Sequence, residues 1–230
     1  MIKKLVATVL ASASLAAGAA NITINSTTPD WTNVTGGTGI TEGANGAFWD
    51  IRWGSGPNGQ SGLGFDPLNP PAGTYATDTV FQLGTLRHYN NPINGAASGV
   101  TLNLLTAVAG ATPVNQTFSF RFLIDETPNV TPCTYPSQPG NPCADRITFQ
   151  NLDLTSAFSV AGVEYTIQLL GFGTAANSIQ SFFDSQEGGT NSVGLWATIT
   201  APTRVPEPAS LALVGLALAA AGAVGRRRRA

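Results

Sequence analysis

Along the middle of the chain, apolar positions recur every second residue. "QTFSFRFLID" (116–125) sets Phe118, Phe120, Phe122 and Ile124 on one face and Thr117, Ser119, Arg121 and Leu123 on the other. That is the period of a half-buried strand. "VEYTIQLLGF" (163–172) aligns Tyr165, Ile167 and Leu169, and "NSVGLWATIT" (191–200) aligns Val193, Leu195, Ala197 and Ile199 opposite Trp196. "AFWDIRWG" (47–54) puts Trp49, Ile51 and Trp53 on one face and Asp50 and Arg52 on the other. "NITINS", "VFQLGTLRHY", "GVTLNLLTAV" and "RITFQNLDL" are further strand candidates. They are separated by turn-forming clusters, "GSGPNGQSGLG", "PLNPPAG", "NNPINGAASG" and "PSQPGNP". No helical period competes within residues 21–200. The pattern predicts an all-β domain there: an antiparallel β-sandwich with jelly-roll-like connections.

Both ends break this pattern. Residues 1–20 carry Lys3 and Lys4, a short apolar run and small residues at Ala17 and Ala19. This reads as a secretory signal peptide, cut by signal peptidase after Ala19 or Ala20. Residues 201–208 form a linker ending in Val205, Pro206, Glu207 and Pro208, whose prolines suit neither helix interior nor central strand. Residues 209–224 contain only Ala, Ser, Leu, Val and Gly, and Arg226, Arg227, Arg228 and Arg229 follow. Residues 209–230 are thus expected to form a transmembrane helix with a basic stop-transfer end held on the cytoplasmic side. At ~1.5 Å per residue the apolar run spans about 24 Å, short of the ~30 Å hydrocarbon core.

Charge narrows the partners. The whole chain has a formal net charge of −2, but between residues 21 and 203 four arginines face twelve carboxylates, giving −8. Nucleic acid, which requires clustered cations, is excluded as a partner. The two cysteines, Cys133 and Cys143, are expected to form a disulfide in an exported chain. Closing so short a loop contributes roughly 2–3 kcal/mol.

Little else announces chemistry. His88 is the sole histidine, and it precedes an Asn-Asn-Pro turn. With one histidine and no third cysteine, a Cys/His zinc site is not expected. Ser61, in "QSG", lacks the G-x-S-x-G context of a nucleophile elbow. Asp125 and Glu126 are adjacent at a strand end, so alternation points them to opposite faces and argues against a paired-carboxylate site. Asp145, Asp153, Asp184 and Glu187 could meet only through the fold. No D-x-D-x-D-G loop is present, so no resident metal or cofactor is expected; calcium is the one ion such oxygens would suit. Trp31, Trp49, Trp53 and Trp196 could offer sugar platforms, although large apolar residues on one face are most simply core.

The tail resembles the PEP-CTERM sorting signal of Gram-negative bacteria in its three parts: Val205-Pro206-Glu207-Pro208, the apolar run and the arginines. The resemblance implies recognition by the membrane-embedded transpeptidase exosortase, removal of the tail, and delivery to the cell surface or extracellular matrix. It also implies an association with exopolysaccharide. Within the domain, the succession "IRWG", "GQSGLGF", "FQLGTLRHYNNPI", "FSFRFLIDETPN" and "CADRITF" is similar to the THxN family of PEP-CTERM proteins. Here Arg87 replaces the threonine of the Thr-His-x-Asn motif, which leaves His88 and Asn90 as matching positions. The family supplies a fold expectation and no activity. The sequence therefore points to an exported, non-enzymatic surface or biofilm-matrix protein, transiently anchored through its tail. A carbohydrate-binding module is the alternative, and a hydrolase the weaker one.

Overall fold

In a computed structural model the described residues are 21–67, 73–109, 114–140, 142–150 and 155–201, with residue 215 alone beyond them. The signal peptide, Val205, Pro206, Glu207, Pro208, the 209–230 helix and its arginines all lie outside the described residues. Among the described residues, no helix is long and apolar enough to cross a membrane.

The domain is all-β, with two antiparallel sheets. One has β1 (Asn21–Gly36), β5 (Gly73–Ala76), β7 (Ala97–Val108), β8 (Val114–Asp125), β9 (Asp145–Phe149) and β12 (Phe182–Ser185) in the order β12-β9-β8-β7-β1-β5. The other has β2 (Thr41–Asn45), β3 (Phe48–Trp53), β4 (Ser61–Pro67), β6 (Val80–Asn90), β10 (Thr155–Val160), β11 (Val163–Gly173) and β13 (Gly189–Thr200) in the order β10-β11-β13-β6-β4-β3-β2. The chain passes repeatedly from one sheet to the other, so each sheet is assembled from segments distant in sequence.

The alternation seen in the sequence decides which face turns inward. Phe118, Phe120, Phe122 and Ile124 of β8 are all buried. In register they face Leu104, Leu102 and Val100 of β7 for the three phenylalanines. Leu195, Ala197 and Ile199 of β13 meet Phe172, Leu169 and Ile167 of β11. The two inner faces share one core. Phe118 meets Phe158 of the opposite sheet edge-to-face at 5.6 Å, and Phe149 stacks on Phe172 at 4.4 Å. Each such side chain, fully buried, contributes about 1.5–3 kcal/mol, and the ring pairs add to this.

Two elements differ from expectation for physical reasons. "GSGPNGQSGLG" scans as a turn, yet its end, from Ser61, belongs to β4. Ser61, Leu63 and Phe65 point inward, while Gly62 and Gly64 occupy outward positions. A Cβ at Gly64 would lie 2.2 Å from Asp50 Oδ1, and one at Gly62 2.5 Å from Arg52 Cδ. The glycines thus clear space for side chains of β3 rather than breaking the strand. Asp50, on the outward face as expected, is nonetheless buried. It accepts from Arg52 Nη2 at 2.8 Å, Asn45 Nδ2 at 2.9 Å and Tyr89 Oη at 3.2 Å, while Arg52 lies over the Tyr89 ring. β1 runs sixteen residues, far beyond "NITINS", because register shifts against β7 after Ile24 and Thr32 interrupt its alternation without ending the pairing.

Candidate functional site

Four inward-facing apolar stripes end in polar residues at the same end of the domain. In β6, Leu86 is followed on its face by His88 and Asn90. Past the end of β8, Ile124 is followed by Glu126. In β9, Ile147 is preceded by Asp145, and in β12, Phe183 is followed by Ser185, with Glu187 in the turn to β13. Antiparallel pairing of β8 with β9, and of β9 with β12, places these termini side by side. The same alternation that builds the core therefore delivers a cluster of polar groups to its rim.

The cluster is closed. His88, Asn90, Asp145 and Ser185 are fully buried, and Glu187 nearly so. A ring nitrogen of His88 and one carboxylate oxygen each of Glu126 and Asp145 lie within 4.8 Å of one another. Thr127 donates to Asp145 Oδ1 from its backbone N–H at 2.7 Å and from its hydroxyl at 3.1 Å. Asn129 Nδ2 donates to Glu187 Oε2 at 2.9 Å, and Asn90 Nδ2 to the Ser185 carbonyl at 2.9 Å. Yet His88 Nδ1 and Nε2, Asn90 Oδ1, Glu126 Oε2, Asp145 Oδ2, Ser185 Oγ and Glu187 Oε1 are buried with no hydrogen-bonding partner. Native interiors rarely leave so many polar atoms unmatched.

Electrostatics follow from this burial. Desolvation, helped by the charge of Arg52, lowers the His88 pKa to about 3, so its imidazole is neutral. Burial, then the charges of Asp145 and Glu187, push Glu126 up to about 8. Burial, with Glu187 adding to it, lifts Asp145 to about 7, against the bonds from Thr127 and Asn90 that favour its ionised form. Neither ion pair among the described residues, Arg52 with Asp50 or Arg146 with Asp184, reaches these carboxylates.

Of the residues flagged in the sequence, His88 and Asn90 meet here, as do Asp145 and Glu187. Asp184 instead pairs with Arg146, at 2.6 Å and 2.8 Å, and Asp153 lies outside the described residues. Asp125 and Glu126 diverge as alternation requires: Asp125 accepts from the Tyr135 hydroxyl, while Glu126 turns inward. Glu126 is the residue sequence reasoning undervalued. Extending the β8 alternation one step past Ile124 would have found it. Cys133 and Cys143 are bonded, tying off the long β8–β9 connection next to the cluster. Ser61 Oγ donates to the Asn91 carbonyl at 2.9 Å and accepts from the Asn91 N–H at 3.1 Å, so its hydroxyl serves as a clasp. Trp31 and Trp53 are core, whereas Trp49 and Trp196 are half-buried.

Comparison with known families bears on the tail. The model of the PEP-CTERM protein-sorting motif matches residues 204–229, which supports a PEP-CTERM protein. The motif implies export and exosortase-dependent sorting to the cell surface of a Gram-negative bacterium. No curated protein matches the chain.

Proposed function

We propose that the protein is a non-catalytic component of the cell surface or extracellular matrix, a THxN-type PEP-CTERM protein whose β-sandwich is released from its tail by exosortase. The match at residues 204–229 carries this reading. The tail's apolar run is too short for a comfortable permanent span, which favours a transient anchor. Signal peptidase removes residues 1–20 and exosortase acts at Val205-Pro206-Glu207-Pro208. The placement of His88 and Asn90 in one buried cluster supports the THxN assignment. Extracellular polysaccharide is the proposed partner. Trp49 and Phe48 line a shallow depression with Pro29 and Asp66 on the surface, an arrangement of aromatic and acidic groups suited to a neutral glycan.

Intact-mass spectrometry of the exported form tests the processing. The expected product lacks Arg226, Arg227, Arg228 and Arg229, and a surface protein that retains them overturns the reading. Co-sedimentation with the producing strain's exopolysaccharide tests the partner. Binding that is lost in W49A supports it, and no sedimentation above background refutes it.

A further inference from the structure

We propose that His88, Glu126 and Asp145 bind one divalent first-row transition-metal ion, of the zinc or manganese type, as a closed structural centre at the end of the two sheets. This inference does not depend on the sorting reading.

Three observations carry it. The first is convergence: the three side chains come from β6, from just past β8 and from β9, and their donor atoms already lie within 4.8 Å of one another. Donors at ~2.0–2.2 Å from one tetrahedral ion stand about 3.3–3.6 Å apart, so side-chain shifts of under about an ångström complete the contact. The second is the histidine. His88 is wholly buried, and both ring nitrogens lack partners. An imidazole in a protein interior without a hydrogen bond on either nitrogen is costly, and a metal bond on one removes that cost. The third is charge. Neither ion pair among the described residues includes Glu126, Asp145 or Glu187, so no basic side chain serves these carboxyl groups as a salt-bridge partner. The nearby cation, Arg52, is held by Asp50.

The donor set selects the ion. Calcium takes six to eight oxygens, and an imidazole nitrogen suits it poorly. One nitrogen with two carboxylates suits zinc or manganese. Asn90 Oδ1 and Glu187 Oε1 are likewise buried without partners. His88, Asn90, Asp145 and Ser185 are sealed from solvent, and Glu126 is half-buried with its Oε2 buried, which favours a structural centre over a catalytic one. Its effect is mechanical. It ties β6 of one sheet to β8 and β9 of the other, at the end where the 126–144 connection leaves the core.

The test uses the full-length chain, exported, purified without chelator and analysed by inductively coupled plasma mass spectrometry. About one zinc or manganese ion per chain is expected. EDTA should lower the melting temperature, and either metal should restore it. E126Q and D145N should each reduce metal content by more than ~10-fold. After chelation, E126Q should be about as stable as the wild type, since glutamine is nearly isosteric with glutamate and leaves the packing in place. A purely packing role would leave the chelator response unaltered. Cobalt(II) added to the chelated wild type should give a visible absorption band, which needs no variant to fold. Protein that holds no metal and gains no stability from zinc or manganese overturns the proposal. So does full metal retention in both E126Q and D145N. A response to calcium alone overturns the choice of ion.

Discussion

Phe122→Ala is the sharpest test of how the sheets are held together. Phe122 is fully buried at the centre of β8. Its ring lies 6.2 Å from Trp31 in its own sheet, 5.3 Å from Phe149 on the adjacent strand β9, and 6.2 Å from Phe172 across the core. Removing a buried phenylalanine costs about 3–5 kcal/mol from transfer and cavity terms. The surrounding rings are stiff and close-packed, so little collapse into the cavity is available. That places the expectation in the upper part of the range, about 4 kcal/mol, a quarter or more of the ~5–15 kcal/mol that stabilises a domain. For a domain of this size the melting temperature should fall by about 8–16 °C. The control is the next residue, Leu123, which is 38% exposed on the opposite face. Leu123→Ala should change stability by no more than ~0.5–1 kcal/mol. Urea unfolding of both variants, with the disulfide intact, gives the comparison directly, provided the slopes agree with wild type. If Phe122→Ala costs under ~1.5 kcal/mol, or if the two substitutions cost the same, then β8 does not present alternate faces to core and solvent as described.

Other consequences are open to simpler measurement. Replacing Cys133 and Cys143 together by serine should cost about 2–3 kcal/mol in urea unfolding, and reductant should have no further effect on that variant. Gly64→Ala brings a methyl within 2.2 Å of Asp50 Oδ1 and should cost roughly 1–3 kcal/mol, whereas Gly43→Ala meets nothing within 4 Å and should be nearly silent by thermal melting. Asn129→Ala removes the bond to Glu187 at 2.9 Å and should destabilise by about 1–3 kcal/mol, because it strands a buried carboxylate oxygen.

Where a strand keeps strict alternation, as β8 and β13 do, the sequence alone located it and chose its inner face, even though the pairing of β13 shifts register against β6 and β11. It was silent on β4, where glycine serves a neighbouring strand's side chains, and on most of β1, where register shifts scramble the period. The four- and five-residue strands β12 and β2 carry too few residues for a period to stand out. The candidate site divides in the same way. His88 was visible as the sole histidine and Asn90 through a motif, but their meeting with Glu126, Asp145 and Glu187 joins positions up to about a hundred residues apart. That convergence is a property of strand order, which no local pattern encodes. The cysteine pair was legible because the chain has only two cysteines and reads as exported.

The position of β13 has a consequence for the order in which the molecule can be completed. This last strand lies between β11 and β6, in the interior of its sheet, and ends at Thr200, just before the sorting motif matched at 204–229. Until it is delivered, β11 and β6 face each other as two unpaired edges, and half the core has no lid. A chain threaded across a membrane from its N-terminus therefore cannot finish folding before its final domain segment emerges. The segment that closes the sheet thus adjoins the sorting motif, so delivery of that end of the domain and sealing of its last open edges are one event.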